Sequence, residues 1–219
     1  ANALDANTTA NDNTGVGYNA LGANTTGAEN SAFGRGSLQS NTTGNFNTGY
    51  GRTSLSSNTT GDNNTAVGRE SLGANTTADD NTAIGYHSLL SNTTGGQNTA
   101  VGERSMESNT TASSNVAVGM RCLQVNTTGG GNTAVGKDSG QEVTTGDNNL
   151  LLGIDAGRSA SPSGSITTGS NKVVLGNNST TDLFCADTSI SSSDQRDKTD
   201  ITSFNIGLAW IEALRPVTY

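Results

Sequence analysis

The residue types that most often perform chemistry in proteins are few and scattered in this sequence. The single histidine, His87, has no partner at metal-ligand spacing. The two cysteines, Cys122 and Cys185, are far apart and lie in different contexts, which argues against a disulfide framework or a thiolate metal site. We therefore expect two small buried thiols, a histidine on the surface, and no metal ion or cofactor.

Acidic residues offer no better metal site. The aspartates that could be considered do not recur as a calcium-binding repeat. They are Asp62, Asp79, Asp80 and Asp147.

Arginine and tyrosine do recur at one position of a pattern, every 17 residues. The recurring residues are Tyr18, Arg35, Arg52, Arg69 and Tyr86. Variable positions beside repeated ones should face solvent, and such a ridge could bind sugars or anionic polymers. The simpler interpretation is an ordinary solvated surface.

Composition excludes several function classes. Only 31% of the 219 residues are hydrophobic and 4% are aromatic, so a conventional globular core is not expected. The net charge of −8 argues against nucleic acid as a partner, because phosphate binding needs clustered lysine and arginine. No apolar run approaches the roughly 18 residues that predict a membrane span. Ala1 opens inside a repeat, so we expect the chain to be part of a longer protein.

A glycine recurs every 17 residues without insertion over residues 1–153. An asparagine stands four residues before each of these glycines, and an apolar residue stands immediately before each glycine. The glycines are Gly17, Gly34, Gly51, Gly68, Gly85, Gly102, Gly119, Gly136 and Gly153. A fixed period of this length predicts a repeat architecture in which each coil is stabilised by its neighbours.

The rest of each period adds a second apolar column and an Asn-Thr-Thr segment, as at Leu72 and Asn75. One period cannot bury itself, but stacked copies can form ladders of identical side chains, with asparagine amides bonded to those above and below. Threonine, valine, glycine and asparagine favour short strands and turns over helix. We therefore predict an all-β fold, a β-roll or β-solenoid of nine 17-residue coils.

Alternation along a strand assigns side chains to two faces. In the segment from Asn64 to Gly68, it puts Thr65 and Val67 on one side and Ala66 on the other. We expect the valine column, with Val67 stacked on Ile84, to lie in the core, and the alanine column to form a subunit contact. Several chains would then pack around an axis, and a homotrimer is the expected assembly.

The repeated Asn-Thr-Ala-Val-Gly and Asn-Thr-Thr phrases resemble those of two groups. One is the head domains of trimeric autotransporter adhesins, which are left-handed parallel β-rolls with a shorter period. The other is phage tail-fibre-like proteins with Asn-Thr-Ala-Val-Gly and Ser-Asn-Thr-Thr-Gly repeats. The resemblance covers residues 1–153 and implies a trimeric fibre on a virus particle or a bacterial cell surface.

The regular pattern ends after Gly153. The next glycine in phase is Gly176, which is 23 residues later, and a serine-rich loop with Pro162 fills the longer interval. We interpret residues 154–192 as an atypical terminal coil and neck.

Residues 193–219 have a different character. Ser203 can cap a short α-helix whose apolar residues Ile206, Trp210 and Leu214 fall at helical spacing, and Pro216 would end it. The sequence predicts a C-terminal helical segment here.

This segment resembles the start of the intramolecular chaperone domain of phage tail fibres, tailspikes and endosialidases. The residues that carry the resemblance are the Ser-Asp-Gln-Arg-Asp-Lys stretch from Ser193 and the Gly-Leu and Leu-Arg-Pro-Val-Thr-Tyr stretches that end at Tyr219. The resemblance implies a truncated domain that drives trimerisation and cleaves itself between Ser192 and Ser193. Ser193 would be the nucleophile and Lys198 its base. The alternative is that this segment serves only as a trimeric neck.

Three functions fit the sequence. The first is a structural and adhesive fibre segment of a virus, such as a phage tail fibre, which attaches to a receptor on the host cell surface. The second is a tailspike depolymerase of polysaccharide, which needs paired carboxylates in a groove. The third is a bacterial trimeric surface adhesin. No substrate-directed enzyme is expected from the regular coils, and any catalysis would be autoproteolysis.

Overall fold

The computed structural model describes residues 2–182 as a parallel β-solenoid. Each coil contributes one strand of three residues, and the ten strands form a single sheet in sequence order. The strands are β1 (Thr14–Val16), β2 (Ser31–Phe33), β3 (Thr48–Tyr50), β4 (Thr65–Val67), β5 (Thr82–Ile84), β6 (Thr99–Val101), β7 (Val116–Val118), β8 (Thr133–Val135), β9 (Leu150–Leu152) and β10 (Val173–Leu175). The predicted all-β solenoid is confirmed.

Strand register follows the sequence period. Thr65, Ala66 and Val67 of β4 pair with the equivalent residues of β5, which lie 17 positions later. The longer interval after β9 does not break the sheet, since Val174 of β10 pairs with Leu151. The additional residues therefore extend one coil beside the sheet and leave the strand stack continuous.

The core of each coil is narrow and is filled by one large and one small apolar side chain. The large column is fully buried and comprises Leu21, Leu38, Leu55, Leu72, Leu89, Met106 and Leu123. These residues adopt left-handed backbone conformations, with φ between 48° and 52°. That conformation costs roughly 1–2 kcal/mol per residue for an L-amino acid. Burying a leucine side chain contributes about 1.5–3 kcal/mol, which offsets the strain.

Asparagine ladders connect the coils, as the sequence predicts. Asn58 donates from Nδ2 to Oδ1 of Asn41 at 2.8 Å and to the carbonyl of Gly61 at 2.9 Å. Its own Oδ1 accepts from Asn75 at 2.9 Å. Since these amides are fully buried, the ladder satisfies polar groups that would otherwise destabilise the interior.

The predicted assignment of the two strand faces is wrong. Ala66 is fully buried, whereas Val67 is 38% exposed and Ile84 is 40% exposed. The inward position faces the large leucine of the same narrow coil, so only a small side chain fits there. The valine column consequently points out of the coil, and alanine cannot form a subunit contact.

The glycine after each strand turns the chain at a corner. Gly68 has a φ of 132°, and a Cβ placed on it would lie 2.5 Å from the carbonyl oxygen of Gly85 in the next coil. Any other residue would be strained and would collide with backbone, which explains why glycine recurs at this position.

The C-terminal predictions concern residues 183–219, which lie outside the described residues. They include the helix from Ser203 and the start of the chaperone domain. In the part of the chain that the structure describes, no helix is long and apolar enough to cross a membrane.

Candidate functional surface

The side of the sheet that points away from the coil interior forms a continuous surface, which we call the outward face. It consists of the first and third residues of strands β1 to β10. Apolar side chains dominate the third position, and many are substantially exposed. Those at least 36% exposed are Val16, Tyr50, Val67, Ile84, Val118, Val135, Leu152 and Leu175.

The outward face combines an apolar column at the third strand position with a column of mostly threonine at the first. Ten strands of three residues, at about 3.3 Å per residue and about 4.8 Å between strands, give a face of roughly 430 Å². Phe33 and Tyr50 stack on it with ring centroids 4.4 Å apart. Contiguous exposed patches of this size are often functional.

One edge of the outward face carries the predicted ridge of arginine and tyrosine. The arginine ridge, defined as Tyr18, Arg35, Arg52, Arg69 and Tyr86, occupies the same position in five consecutive coils. The guanidinium carbon of Arg35 lies 5.8 Å from the Tyr18 ring centroid, and that of Arg69 lies 5.6 Å from the Tyr86 ring centroid.

The arginines of the ridge differ in their partners. Arg69 forms an ion pair with Glu70, with Nε 2.9 Å from Oε1. Arg35 and Arg52 are exposed, and no carboxylate of the described residues lies within ion-pair distance of either. Two adjacent positive charges on the surface of an acidic protein therefore have no counter-ion among residues 2–182.

The opposite edge, just before each strand, carries acidic residues. This acidic flank comprises Asp12, Glu29, Asp62, Asp79, Asp80 and Asp147. Three of its members accept a hydrogen bond from the backbone of the preceding coil and so help to hold the coils together. Asp62 Oδ1 accepts from the N–H of Asn45 at 2.6 Å, Asp79 Oδ1 from that of Asp62 at 2.7 Å, and Asp147 Oδ1 from that of Gly130 at 2.7 Å. Glu29 and Asp80 are exposed and are free of such contacts.

Beside the arginine ridge runs a column of charged side chains that pair within the chain. His87 Nε2 lies 2.7 Å from Glu70 Oε2, and His87 Nδ1 lies 3.3 Å from Glu107 Oε1. Hydrogen bonds from His87 and then from Arg69 lower the pKa of Glu70. The imidazole can donate one hydrogen bond to each carboxylate at the same time only when both of its ring nitrogens carry a proton.

A second ionic group lies further along this column. Arg121 donates from Nη2 to Asp138 Oδ2 at 2.9 Å, and Arg158 donates from Nη1 to Asp155 at 2.6 Å. Asp138 is 3% exposed. The sequence-based expectation that these variable positions face solvent is therefore wrong for part of the column, because neighbouring coils supply opposite charges.

The structure describes only some of the residues that the sequence analysis considered for catalysis or metal binding. His87 has a side chain that is 15% exposed between two carboxylates, so it is neither isolated nor fully on the surface. Cys122 is buried, as predicted. Among residues 2–182, no cluster of histidine, cysteine, aspartate and glutamate could hold a metal ion. Ser193 and Lys198, the proposed nucleophile and base, lie outside the described residues, as does Cys185.

Sequence reasoning missed the outward face, although one signal was present. Side chains before the corner glycine vary widely in size, from valine to tyrosine, and such variation is typical of an open surface. In contrast, the preceding position is almost always alanine or glycine, as at Gly15 and Gly49. Restriction to the smallest side chains indicates a closely packed interior.

Comparison of the chain with family models, with curated proteins and with solved structures finds no match.

Proposed function

We propose that this chain is a structural and adhesive segment of a homotrimeric fibre that projects from a virus particle, as a phage tail fibre does, and attaches to a host cell-surface receptor. The observation that carries the proposal is the outward face, whose third-residue column is apolar in all ten strands and has no element of residues 2–182 packed on it. Repeated coils supply length and resistance to unfolding, while exposed positions away from the outward face and its two edges would contact the receptor.

The assembly can be tested by the mass of the particle in light scattering. We expect three times the mass of one chain. The double substitution Val67→Asp/Val118→Asp should dissociate the particle, because both side chains are exposed on the outward face and a buried charge there is costly. A monomeric unmodified chain would overturn the proposal.

A matched control separates this effect from a general effect of charge. Thr60 and Thr111 are exposed at another position of the same two coils, beyond the buried asparagine ladder. The variant Thr60→Asp/Thr111→Asp should keep the mass of the unmodified particle. If both variants dissociate, or neither does, the outward face is not the contact.

Two other functions remain as outcomes of direct tests. Release of sugar from purified host envelope by the chain would identify it as a polysaccharide depolymerase instead. Presence of the complete protein on bacterial cells, in the absence of virus particles, would identify it as a surface adhesin. Only in the second case would the fibre not be part of a virion.

We further propose autoproteolysis of the bond between Ser192 and Ser193. The Ser193 hydroxyl would attack the carbonyl carbon of Ser192 while neutral Lys198 accepts the hydroxyl proton. The amide C–N bond between Ser192 and Ser193 would then break as Lys198 passes that proton to the Ser193 nitrogen, which leaves an ester. Water would hydrolyse the ester to the Ser192 carboxylate and the free Ser193 hydroxyl. Mass spectrometry of a chain that carries the complete domain should find a fragment beginning at Ser193. Ser193→Ala and Lys198→Ala should abolish that fragment, and its absence from the unmodified chain would exclude self-cleavage.

A further inference from the structure

Charges are separated between the two edges of the outward face. Arg35 and Arg52, which have no ion-pair partner in the described part of the chain, follow their strands, whereas Glu29 and Asp80 precede theirs. Because the strands of a solenoid all run in the same direction, each residue column stays on one edge for the whole length of the sheet. The arginine ridge and the acidic flank therefore lie on opposite sides of the apolar surface.

The size of the outward face suggests that these edges take part in assembly. A stable interface buries about 800 Å² on each partner, which is nearly twice the roughly 430 Å² that strand dimensions give for the face. In a ring of three, each chain also has two neighbours. Contacts must therefore extend beyond the strands to the residues just before and just after them.

We infer that the chains of the fibre lie parallel and at the same height, with the arginine ridge of each chain against the acidic flank of the next. This inference rests on the proposed homotrimer and adds the partner surfaces. When three parallel chains direct their outward faces toward one axis, the edge after the strand in one chain meets the edge before the strand in its neighbour. Closed rotational symmetry also requires that equivalent coils lie at equal height.

Two of the described coils place opposite charges against each other in this arrangement. At β2, Arg35 of one chain meets Glu29 of the next, and at β4, Arg69 meets Asp62. Arg52 follows β3 and lies between those two acidic levels. None of the ten described coils places like charges opposite each other. The charges are compatible with equal height but do not select it over a displacement of one coil, so equal height follows from the closed rotational symmetry alone.

An antiparallel pair does not give the same match. If two chains packed face to face in opposite directions about their centres, coils β2 to β4 of one would meet coils β7 to β9 of the other. In those coils, only Lys137 and Asp147 are charged at the two edges. Arg35 and Arg52 would then stay without counter-ions.

A charge-reversal experiment on one pair tests the inference. The side chains of Arg35 and Glu29 are exposed, and neither forms an ion pair within the described chain, so their replacement should leave the fold intact. Arg35→Glu alone, or Glu29→Arg alone, places like charges together at each of three interfaces. Each should weaken trimer formation about tenfold or more at low salt, since small pair energies sum over three contacts. The combined variant restores opposite charges and should associate like the unmodified chain.

Light scattering at a series of chain concentrations measures these effects. The control is Thr26→Glu/Thr60→Glu, which changes the net charge by the same amount as Arg35→Glu does, at exposed positions away from both edges. A trimer insensitive to every substitution would overturn the inference and leave the proposed trimer intact. So would single variants that are weakened but not restored by their combination. If Arg35→Glu leaves the trimer intact but abolishes binding to heparin, the ridge is a site for an anionic polymer. A monomeric unmodified chain would overturn both the inference and the proposed assembly.

Discussion

The side chain of Leu151 occupies the space that Gly140 leaves open. In the preceding coils a small residue on the strand faces a large residue four positions after the corner glycine, but here the sizes are exchanged. A Cβ on Gly140 would lie 2.7 Å from Leu151 Cδ1 and 2.8 Å from Leu123 Cδ2. Leu151 is fully buried, so the coil keeps its filled core with a different distribution of volume.

This exchange predicts strong coupling between the two positions. Leu151→Ala should destabilise the coil by about 2–5 kcal/mol, because it leaves a cavity. Gly140→Leu should also destabilise, because the new side chain collides with Leu151. The double variant restores the arrangement of the preceding coils, so we expect it to recover most of the loss. Urea unfolding of the four proteins measures the coupling, and simple addition of the two single effects would contradict the prediction.

The buried asparagine ladder should be sensitive to single substitutions. Asn58→Ala removes a residue that takes part in three hydrogen bonds and leaves partners in adjacent coils unsatisfied. We expect a loss of about 1–3 kcal/mol or more in the free energy of unfolding. Thr60→Ala, two residues away at an exposed position, should change it by less than about 0.5 kcal/mol. Equal effects would show that the ladder is not a major source of stability.

Acid should remove the stabilising contribution of Glu70. Its pKa lies below the ordinary value of 4.5 in the folded chain because His87, and then Arg69, donates hydrogen bonds to the carboxylate. A carboxyl group whose pKa is lowered on folding stabilises the protein above its unfolded pKa, and this contribution is lost as pH falls through the folded pKa. Glu70→Gln should therefore be less stable than the unmodified chain near pH 7, and the difference should shrink in acid.

The free energies of unfolding of Glu70→Gln and of the unmodified chain, measured from near pH 7 into acid, test the prediction. Glu103→Gln is the matched control, because Glu103 is exposed and forms no ion pair among the described residues. Its difference from the unmodified chain should vary little with pH. A Glu70→Gln difference that stays constant down to strongly acidic pH would contradict the role of the ionised carboxylate.

The buried thiol should be unreactive in the folded chain. Burial raises the pKa of Cys122 to about 12, and its Sγ donates to the carbonyl oxygen of Ala134 at 3.1 Å. In a Cys185→Ser chain, a thiol reagent at pH 8 should therefore label Cys122 only after denaturation. Rapid labelling of the folded protein would show that the coil opens locally.

Serine should replace Cys122 with little loss of stability. The same position in neighbouring coils is serine, and Ser105 and Ser139 donate to the equivalent carbonyl oxygens at 3.0 and 2.9 Å. Cys122→Ser should retain this hydrogen bond, whereas Cys122→Ala would leave the carbonyl with one donor fewer. Thermal unfolding should rank the serine variant above the alanine variant, and the reverse order would contradict the proposed equivalence.

Periodicity was sufficient to predict much of this architecture. The spacing from Gly68 to Gly85 predicted the coil length, and Asn58 and Asn75 were expected to stack as they do. A repeated position must meet its own copy in the next coil, so sequence spacing translates directly into neighbours. The candidate autoproteolytic residues, by contrast, came from a resemblance and lie beyond the described coils.

The direction of the strand side chains could not be predicted in the same way. Alternation established that Ala66 and Val67 point to opposite sides, but either side could have been the interior. Which side of the strand is the interior depends on Leu72 and its equivalents, whose left-handed backbone directs a large side chain into a narrow coil. Space for only a small residue then remained on the strand.

The sequence by itself determined the coil length, the parallel stacking and the side-chain ladders, because a strict 17-residue period fixes which residues are neighbours. Only the tertiary structure decided which columns are buried and which are exposed. It placed Val67 and its equivalents outside, with Arg35 and Glu29 on opposite edges. The physical reason is that burial depends on the cross-section of the coil, which is set by packing across the turn and does not follow from spacing along the chain.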